Sequence, residues 1–342
     1  MPAGTHDMLF DSDGLLYAAH ASSGITLIDG LKYQHSIDTQ SFQGSILAFS
    51  EKTKQLFVAE KASNEISIIS AGQLQQTLMI SPTETGFILD IAINPTNGWL
   101  YVITNGRRAE DGSNYPSRIT IFDAELNLLD YIEEEHTGFT DIVIDPINNY
   151  IYISKIYITP ESNVLESVYI LQGLQKTNEF PLEGLDLLVL NPQNGDLFAL
   201  GCDIEEYDLT LFRQGELITQ LDNISEICNG LTMQIHPISG DLYIIYPFSH
   251  LIVVGTNNDN LIIKETIFVG DGGAKMAIDP QNGNVYVANF ADNTVSVIQG
   301  LQNVATIDVG WYPYGINVHP TNGYVYVSNT NDKTITVLGY QH

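Results

Sequence analysis

Apolar and polar residues along this chain alternate in short bursts, separated by clusters of Gly, Pro and Asn. That period of two predicts β-strands, and no stretch carries the 3.6-residue period of an amphipathic helix. The clearest copies are Ile91-Ala-Ile-Asn-Pro-Thr-Asn-Gly-Trp-Leu-Tyr-Val102, Met276-Ala-Ile-Asp-Pro-Gln-Asn-Gly-Asn-Val-Tyr-Val287 and Ile316-Asn-Val-His-Pro-Thr-Asn-Gly-Tyr-Val-Tyr-Val327. In each, an alternating run enters a Pro-x-Asn-Gly turn, where Pro presets φ and Gly accepts a positive φ. A second run rich in Tyr, Val and Ile follows. The two read as a hairpin of strands A and B.

A third run, C, comes next at Ile25–Ile28, Ile66–Ile69, Ile119–Phe122, Val168–Leu171, Leu209–Phe212, Leu251–Val254, Val295–Ile298 and Ile335–Leu338. A fourth, D, leads into the following copy at Tyr33–Ile37, Gln76–Ile80, Leu128–Ile132, Asn178–Leu182, Glu216–Leu221, Ile262–Phe268 and Val304–Val309. Aligned on one aromatic, the copies place Tyr17, Phe57, Tyr101, Tyr152, Phe198, Tyr243, Tyr286 and Tyr326 at steps of 40 to 51 residues. Four strands at that period predict an all-β fold, a β-propeller of eight blades, with seven as the alternative. The whole chain, 1–342, reads as one domain with repeats at about 1–40, 41–83, 84–135, 136–182, 183–225, 226–268, 269–309 and 310–342. Only seven D runs are found for eight hairpins, so the last blade is expected to lack its outer strand within the chain. Ile335, Thr336, Val337 and Leu338 then form an open edge, a template on which a neighbouring protomer or a partner peptide adds a strand.

The runs Tyr286-Val-Ala-Asn289 and Tyr326-Val-Ser-Asn329, each after Pro-x-Asn-Gly, resemble the YVTN β-propeller repeat. Val309-Gly-Trp-Tyr-Pro-Tyr-Gly-Ile316 is similar to that family's loop into the next blade. The resemblance is strong over residues 260–342, fair over 85–245 and weak over 1–84. It implies a propeller of bacterial or archaeal surfaces or of the periplasm, commonly without assigned chemistry. Propeller relatives also include lactonases, lyases and subunits of quinone- or haem-dependent dehydrogenases.

Charge narrows the partners. Lys and Arg total 13 against 41 Asp and Glu, a net charge of −28, which repels nucleic acid and anionic membranes. No run of about 18 apolar residues predicts a membrane span, and the N-terminus has no signal-peptide pattern. An extracellular, cell-surface or periplasmic location rests on the resemblance, with a cytoplasmic one as the alternative.

Candidate chemistry is sparse. There is no Cys-x-x-Cys-His, His-Glu-x-x-His, Gly-x-Ser-x-Gly or phosphate-loop motif. Topology directs attention to the loops that enter the A strands, which should line the mouth of a central channel. His6, Ser45, Asp90, Asp141, Asp186, Thr232 and Lys275 fall there. Three converging carboxylates, Asp90, Asp141 and Asp186, would hold a divalent cation such as calcium, or simply cap local turns. Glu133, Glu134, Glu135, His136, Glu183, Asp203, Glu205 and Glu206 extend this acidic sector. His236 and His319, each before a turn Pro, read as turn residues. Cys202 and Cys228 fall in adjacent blades on one face, close enough in topology for a disulfide or for two separate thiols. Two long B–C segments, 105–118 and 155–168, read as loops suited to a lid or a partner surface.

The expectation is a non-catalytic binding or scaffolding propeller, acting by protein–protein interaction or self-assembly at the open edge and through its loops. The alternative is a metal-dependent enzyme of lactonase or lyase type. A redox-complex subunit comes third.

Overall fold

The computed structural model describes residues 5–20, 24–38, 45–60, 64–80, 86–106, 116–135, 137–159, 164–203, 206–225, 232–246 and 249–339. Among them there is no helix, and 31 strands form eight antiparallel sheets, each ordered as the chain runs. Seven sheets have four strands, and the last has three: Pro313–Val318, Val325–Asn329 and Thr334–Leu338. The D strands, predicted largely from their place in the repeat, are present in the first seven blades.

Burial explains why the four strands differ in composition. The B strands Leu100–Thr104, Leu242–Tyr246, Val285–Asn289 and Val325–Asn329 are buried at every position. Both their faces pack against neighbouring sheets, so their sequences run apolar without alternation. The D strand Gln302–Asp308 is exposed throughout, which is why it reads as Gln, Asn, Thr and Asp between small apolar residues. Bulges recur at two places, near the start of the A strand and where C meets D. Each adds local twist.

The expected loop 155–168 is largely strand. B and C of the fourth blade run Tyr150–Ile158 and Val164–Gln172 and stay paired out to Ile158 opposite Val164. Ile156, Tyr157, Ile158 and Val164 have the β-branched and aromatic character that extends a hairpin, and that outweighs the turn signal of Pro160 and Glu161. Of the other expected loop, 107–115 lies outside the described residues.

The chain divides into two compact units, residues 46–228 and residues 1–45 with 229–342, each holding whole blades apart from the edges of its end repeats. In the first, Tyr101, Ile119 and Ile121 pack on Phe139, Ile142 and Ile153 of the next blade. In the second, Tyr286 and Val295 meet Ile316 and Val327, and Tyr326 joins Met8, Leu16 and Ala18 of the first blade.

Polar joints repeat between blades. The residue before the turn Pro caps its own turn and touches the next blade's turn glycine. Asp145 Oδ1 accepts from the Ile147 N–H, and a Cβ on Gly195 would lie 2.8 Å from Asp145 Oδ2. His236 Nδ1 accepts from the Ser239 N–H, so Nε2 carries the proton and donates to the Gly283 carbonyl at 2.8 Å. His319 stands in the same relation to Gly14, where a Cβ would lie 2.6 Å from the ring. Both histidines are therefore turn residues that also latch a neighbour. Three of the aligned B-strand tyrosines, Tyr152, Tyr243 and Tyr326, provide a second joint. The Gly215 N–H donates to Tyr152 Oη at 3.1 Å, and Tyr326 Oη donates to the Gly30 carbonyl at 2.7 Å.

Candidate functional site

The outer edge of Thr334–Leu338 has no strand beside it among the described residues. Beyond it lies a groove of about 400 Å³, floored by Tyr326 and walled on one side by Ile335 and Val337. The opposite wall is Leu31 and Tyr33, at the C–D turn and D strand of the first blade. Within the same unit, the sixth and seventh blades show what normally fills such a space: the D strand of one blade packs beside that of the next, and the Asn303 amide donates to the Phe268 carbonyl. Where a preceding D strand exists, the leucine after the C–D turn glycine is 39% exposed at Leu301 and 36% at Leu174. Leu31, with none, is 71% exposed, and Tyr33 beside it is 64% exposed. The edge residues Ile335, Thr336, Val337 and Leu338 were legible in the sequence. Their facing wall was not, because Leu31 resembles every other turn leucine until its missing neighbour is known.

In the other unit, Asp90 and Asp141 come together. Asp90 Oδ1 accepts from the Ile91 N–H at 2.8 Å and its Oδ2 from Ile142 in the next blade at 3.2 Å. Asp141 repeats the pattern, with Oδ1 accepting from Ile142 at 2.9 Å and Oδ2 from Leu188, one blade further, at 3.1 Å. Burial, then the neighbouring Asp141 charge, pushes the Asp90 carboxyl well above the ordinary carboxylate range. Burial also raises Asp141, against a hydrogen bond from Asp90 that lowers it. Of the two neighbouring carboxyls, Asp90 is therefore the one that favours the protonated form and donates to Asp141.

Asp186 is exposed and one position out of step. The residue equivalent to Asp90 and Asp141 is Leu187, whose following N–H Asp141 accepts, and Asp186 falls in the bulge between Leu185 and Leu187. It acts on Asp141 only as a nearby charge. Among the described residues no group of three or more His, Cys, Asp or Glu side chains is placed to hold a metal ion. What the aspartates do in this geometry is staple A strand to A strand.

Two of the other expected positions, Thr232 and Lys275, lie in neighbouring blades of the other unit. Thr232 Oγ1 donates to the Ala274 carbonyl at 3.0 Å, and the Lys275 ammonium sits 5.6 Å from the Tyr314 ring centre. The side chains of His6, Ser45 and Cys202 lie outside the described residues, as does all of Cys228, so the disulfide pairing falls there too.

The sequence reading missed a half-buried ion cluster where the third and fourth blades meet. Lys155 Nζ lies 3.1 Å from Glu134 Oε2 and 3.2 Å from Glu179 Oε1, over the Tyr169 ring. Lys176 and Ser167 complete the shell of Glu179 at 2.6 and 2.8 Å. Burial pushes the Glu179 carboxyl up, but Lys176, Ser167 and Lys155 together hold it below its ordinary range. A cavity of about 840 Å³, walled by Tyr157, Leu165 and Pro181, opens onto this cluster. The signal was available: Lys155 interrupts an otherwise apolar B strand.

Solved structures of similar shape were then compared. The dihydro-heme d1 dehydrogenase NirN in complex with DHE is 11% identical, with a TM-score of 0.69 over 96% of this chain and 74% of that one. The computationally designed Ika8 protein is 13% identical, with a TM-score of 0.66 over 99% and 97%. Hydrazine synthase of Kuenenia stuttgartiensis is 14% identical, with a TM-score of 0.59 over 99% and 97%. The chain is an eight-bladed β-propeller. At these identities the likeness carries the fold and nothing of the activities. No family model and no curated protein matches the sequence. Among the described residues of this propeller, no helix is long and apolar enough to cross a membrane.

Proposed function

We propose that this propeller is a non-catalytic binding module that takes up an extended strand of a second chain along Thr334–Leu338. The observation that carries the reading is the bare wall of the groove: Leu31 and Tyr33 are exposed where their counterparts in other blades lie beside a D strand. A strand laid there would gain main-chain hydrogen bonds on one side and apolar contacts on both. The likeness of the last repeats to YVTN propellers supports a surface or periplasmic setting for such a module. The acidic surface favours partners that are neutral or basic.

The test supplies the strand in trans. A synthetic peptide with the sequence Gln302–Asp308 is added to the protein, and amide exchange is followed along 334–338. Saturable protection of these amides, lost in Val337→Lys, supports the reading. A second copy as donor adds a concentration-dependent mass above 37.8 kDa. No protection by any of the chain's own D-strand peptides, together with a constant 37.8 kDa mass, would overturn it.

A further inference from the structure

The loops into the last two blades are built on one plan, and they differ in a telling way. In the seventh, the Asp271 N–H donates to Asp292 Oδ2 at 2.8 Å, and the Gly272 carbonyl accepts from the Phe290 N–H at 2.9 Å. In the eighth, the Trp311 N–H donates to Asp332 Oδ2 at 2.7 Å, and the Tyr312 carbonyl accepts from the Thr330 N–H at 3.0 Å. Gly272 sits at φ +69°, and Tyr312 at the matching place sits at φ +56°. A left-handed backbone is free to glycine and strained for a bulky side chain, more so before a proline such as Pro313. The seventh blade shows that Asp-Gly closes this loop. Trp-Tyr is therefore not needed for closure, and it puts two large rings into solvent: Trp311 is 61% exposed and Tyr312 44%. Strain held at an exposed aromatic points to use.

A second ring lies against Tyr312. Phe290 stacks on Tyr312 with centres 4.7 Å apart and planes 13° from parallel, and Tyr314 follows two residues on with Lys275 5.6 Å from its ring centre. Asp271, Asp292, Asp308 and Asp332 lie exposed in the loops around these rings, against Lys275 and an exposed Lys333. The rim is thus net negative on a chain of net charge −28. Ring faces carry negative quadrupole potential, and guanidinium groups stack on them while pairing with carboxylates.

We propose that Phe290, Trp311, Tyr312 and Tyr314 form a docking platform for an arginine-bearing segment of a partner protein. The site is separate from the strand groove and does not depend on it.

The probe is a fluorescein-labelled octapeptide alternating Arg and Gly, titrated into the full chain at low and moderate salt. Expected is saturable binding that weakens with salt, falls at least tenfold in Trp311→Ala and in Tyr312→Gly, and is unchanged in Val337→Lys. Both platform variants should fold, since Trp311 is mostly in solvent and glycine already occupies the equivalent of Tyr312 in the seventh blade. In a Trp99→Phe background, Trp311 is the only tryptophan, and its emission should change over the same concentration range. Equal binding by Trp311→Ala, equal binding of a citrulline-for-arginine peptide, or absence of saturable binding each overturns the proposal. Trp311-dependent binding of an uncharged oligosaccharide in place of the peptide also overturns it, since that assigns the rings to sugars.

Discussion

Tyr326 tests whether the aligned aromatics hold the blades together or merely mark their spacing. Its side chain is 1% exposed, its ring packs edge-on to Phe10 with centres 5.2 Å apart, and its hydroxyl reaches the Gly30 carbonyl. Tyr326→Phe removes only the hydroxyl. A hydrogen bond of this kind contributes about 1 kcal/mol net, and the turn carbonyl it serves can take water in exchange, so the loss should be about 1 kcal/mol. Tyr326→Ala also empties a ring-sized space between Met8, Leu16 and Ala18, which should raise the loss to about 3–5 kcal/mol. Tyr243→Phe is the internal control, because its bond to the Gly300 carbonyl is longer, 3.3 Å, and should matter less. Urea unfolding followed through Trp311 in a Trp99→Phe background reads the unit that contains Tyr326, since Trp99 belongs to the other. A Tyr326→Phe loss below about 0.5 kcal/mol, or one no larger than that of Tyr243→Phe, would refute the joint.

Four further outcomes follow from the joints and the ion pairs. Asp90→Asn gives up one acceptor for the Ile91 and Ile142 N–H groups, but its stability relative to the parent should improve as pH rises from about 4 towards neutrality, because the raised carboxyl of folded Asp90 loses its proton later than an unfolded Asp; thermal melts across that range check it, and a difference that moves the other way with pH is the contrary result. Lys155→Met should cost about 1–2 kcal/mol at neutral pH, because Glu134 loses its ammonium partner while Glu179 keeps Lys176, and the cost should fall as acid protonates both. Glu179, held below its ordinary range, likewise contributes stability that is lost as pH falls through its folded value, which a melt series in acid will show. Gly283→Ala should cost more than about 2 kcal/mol, because its φ is +76° and the new Cβ would meet the His236 ring at 2.8 Å; Gly300→Ala, at φ +58° with open space, should cost about 1 kcal/mol in the same denaturation assay.

The repeat was legible because its turn chemistry is local. Pro-x-Asn-Gly announces a hairpin whatever lies around it, and a fixed aromatic then counts the blades. The D strands were found by order alone: Gln302–Asp308 is exposed along its length and shows no amphipathic pattern. The aspartates show where such reading stops. Asp186 stands six residues before its turn Pro where Asp90 and Asp141 stand five before theirs, and that one residue places it in the bulge that the other two blades fill with Leu89 and Thr140. Lys155, too, was visible as a charge in an apolar strand but was read as the start of a loop. Tyr312 was hidden for a different reason. Glycine advertises a positive φ and tyrosine does not, so the strained ring becomes apparent only when its loop is laid beside Asp271-Gly272.

The latch between His319 and Gly14 is the same device as those between His236 and Gly283 or Asp145 and Gly195. It makes no distinction between blades that are neighbours in sequence and blades that are not. Covalent order is then a historical detail for this junction. A circular permutant that joins 339 to 5 through a short linker, and opens instead at the exposed turn around Gly300, should fold to the same set of sheets. The free strand edge would stay on Thr334–Leu338, since permutation neither adds nor removes a strand.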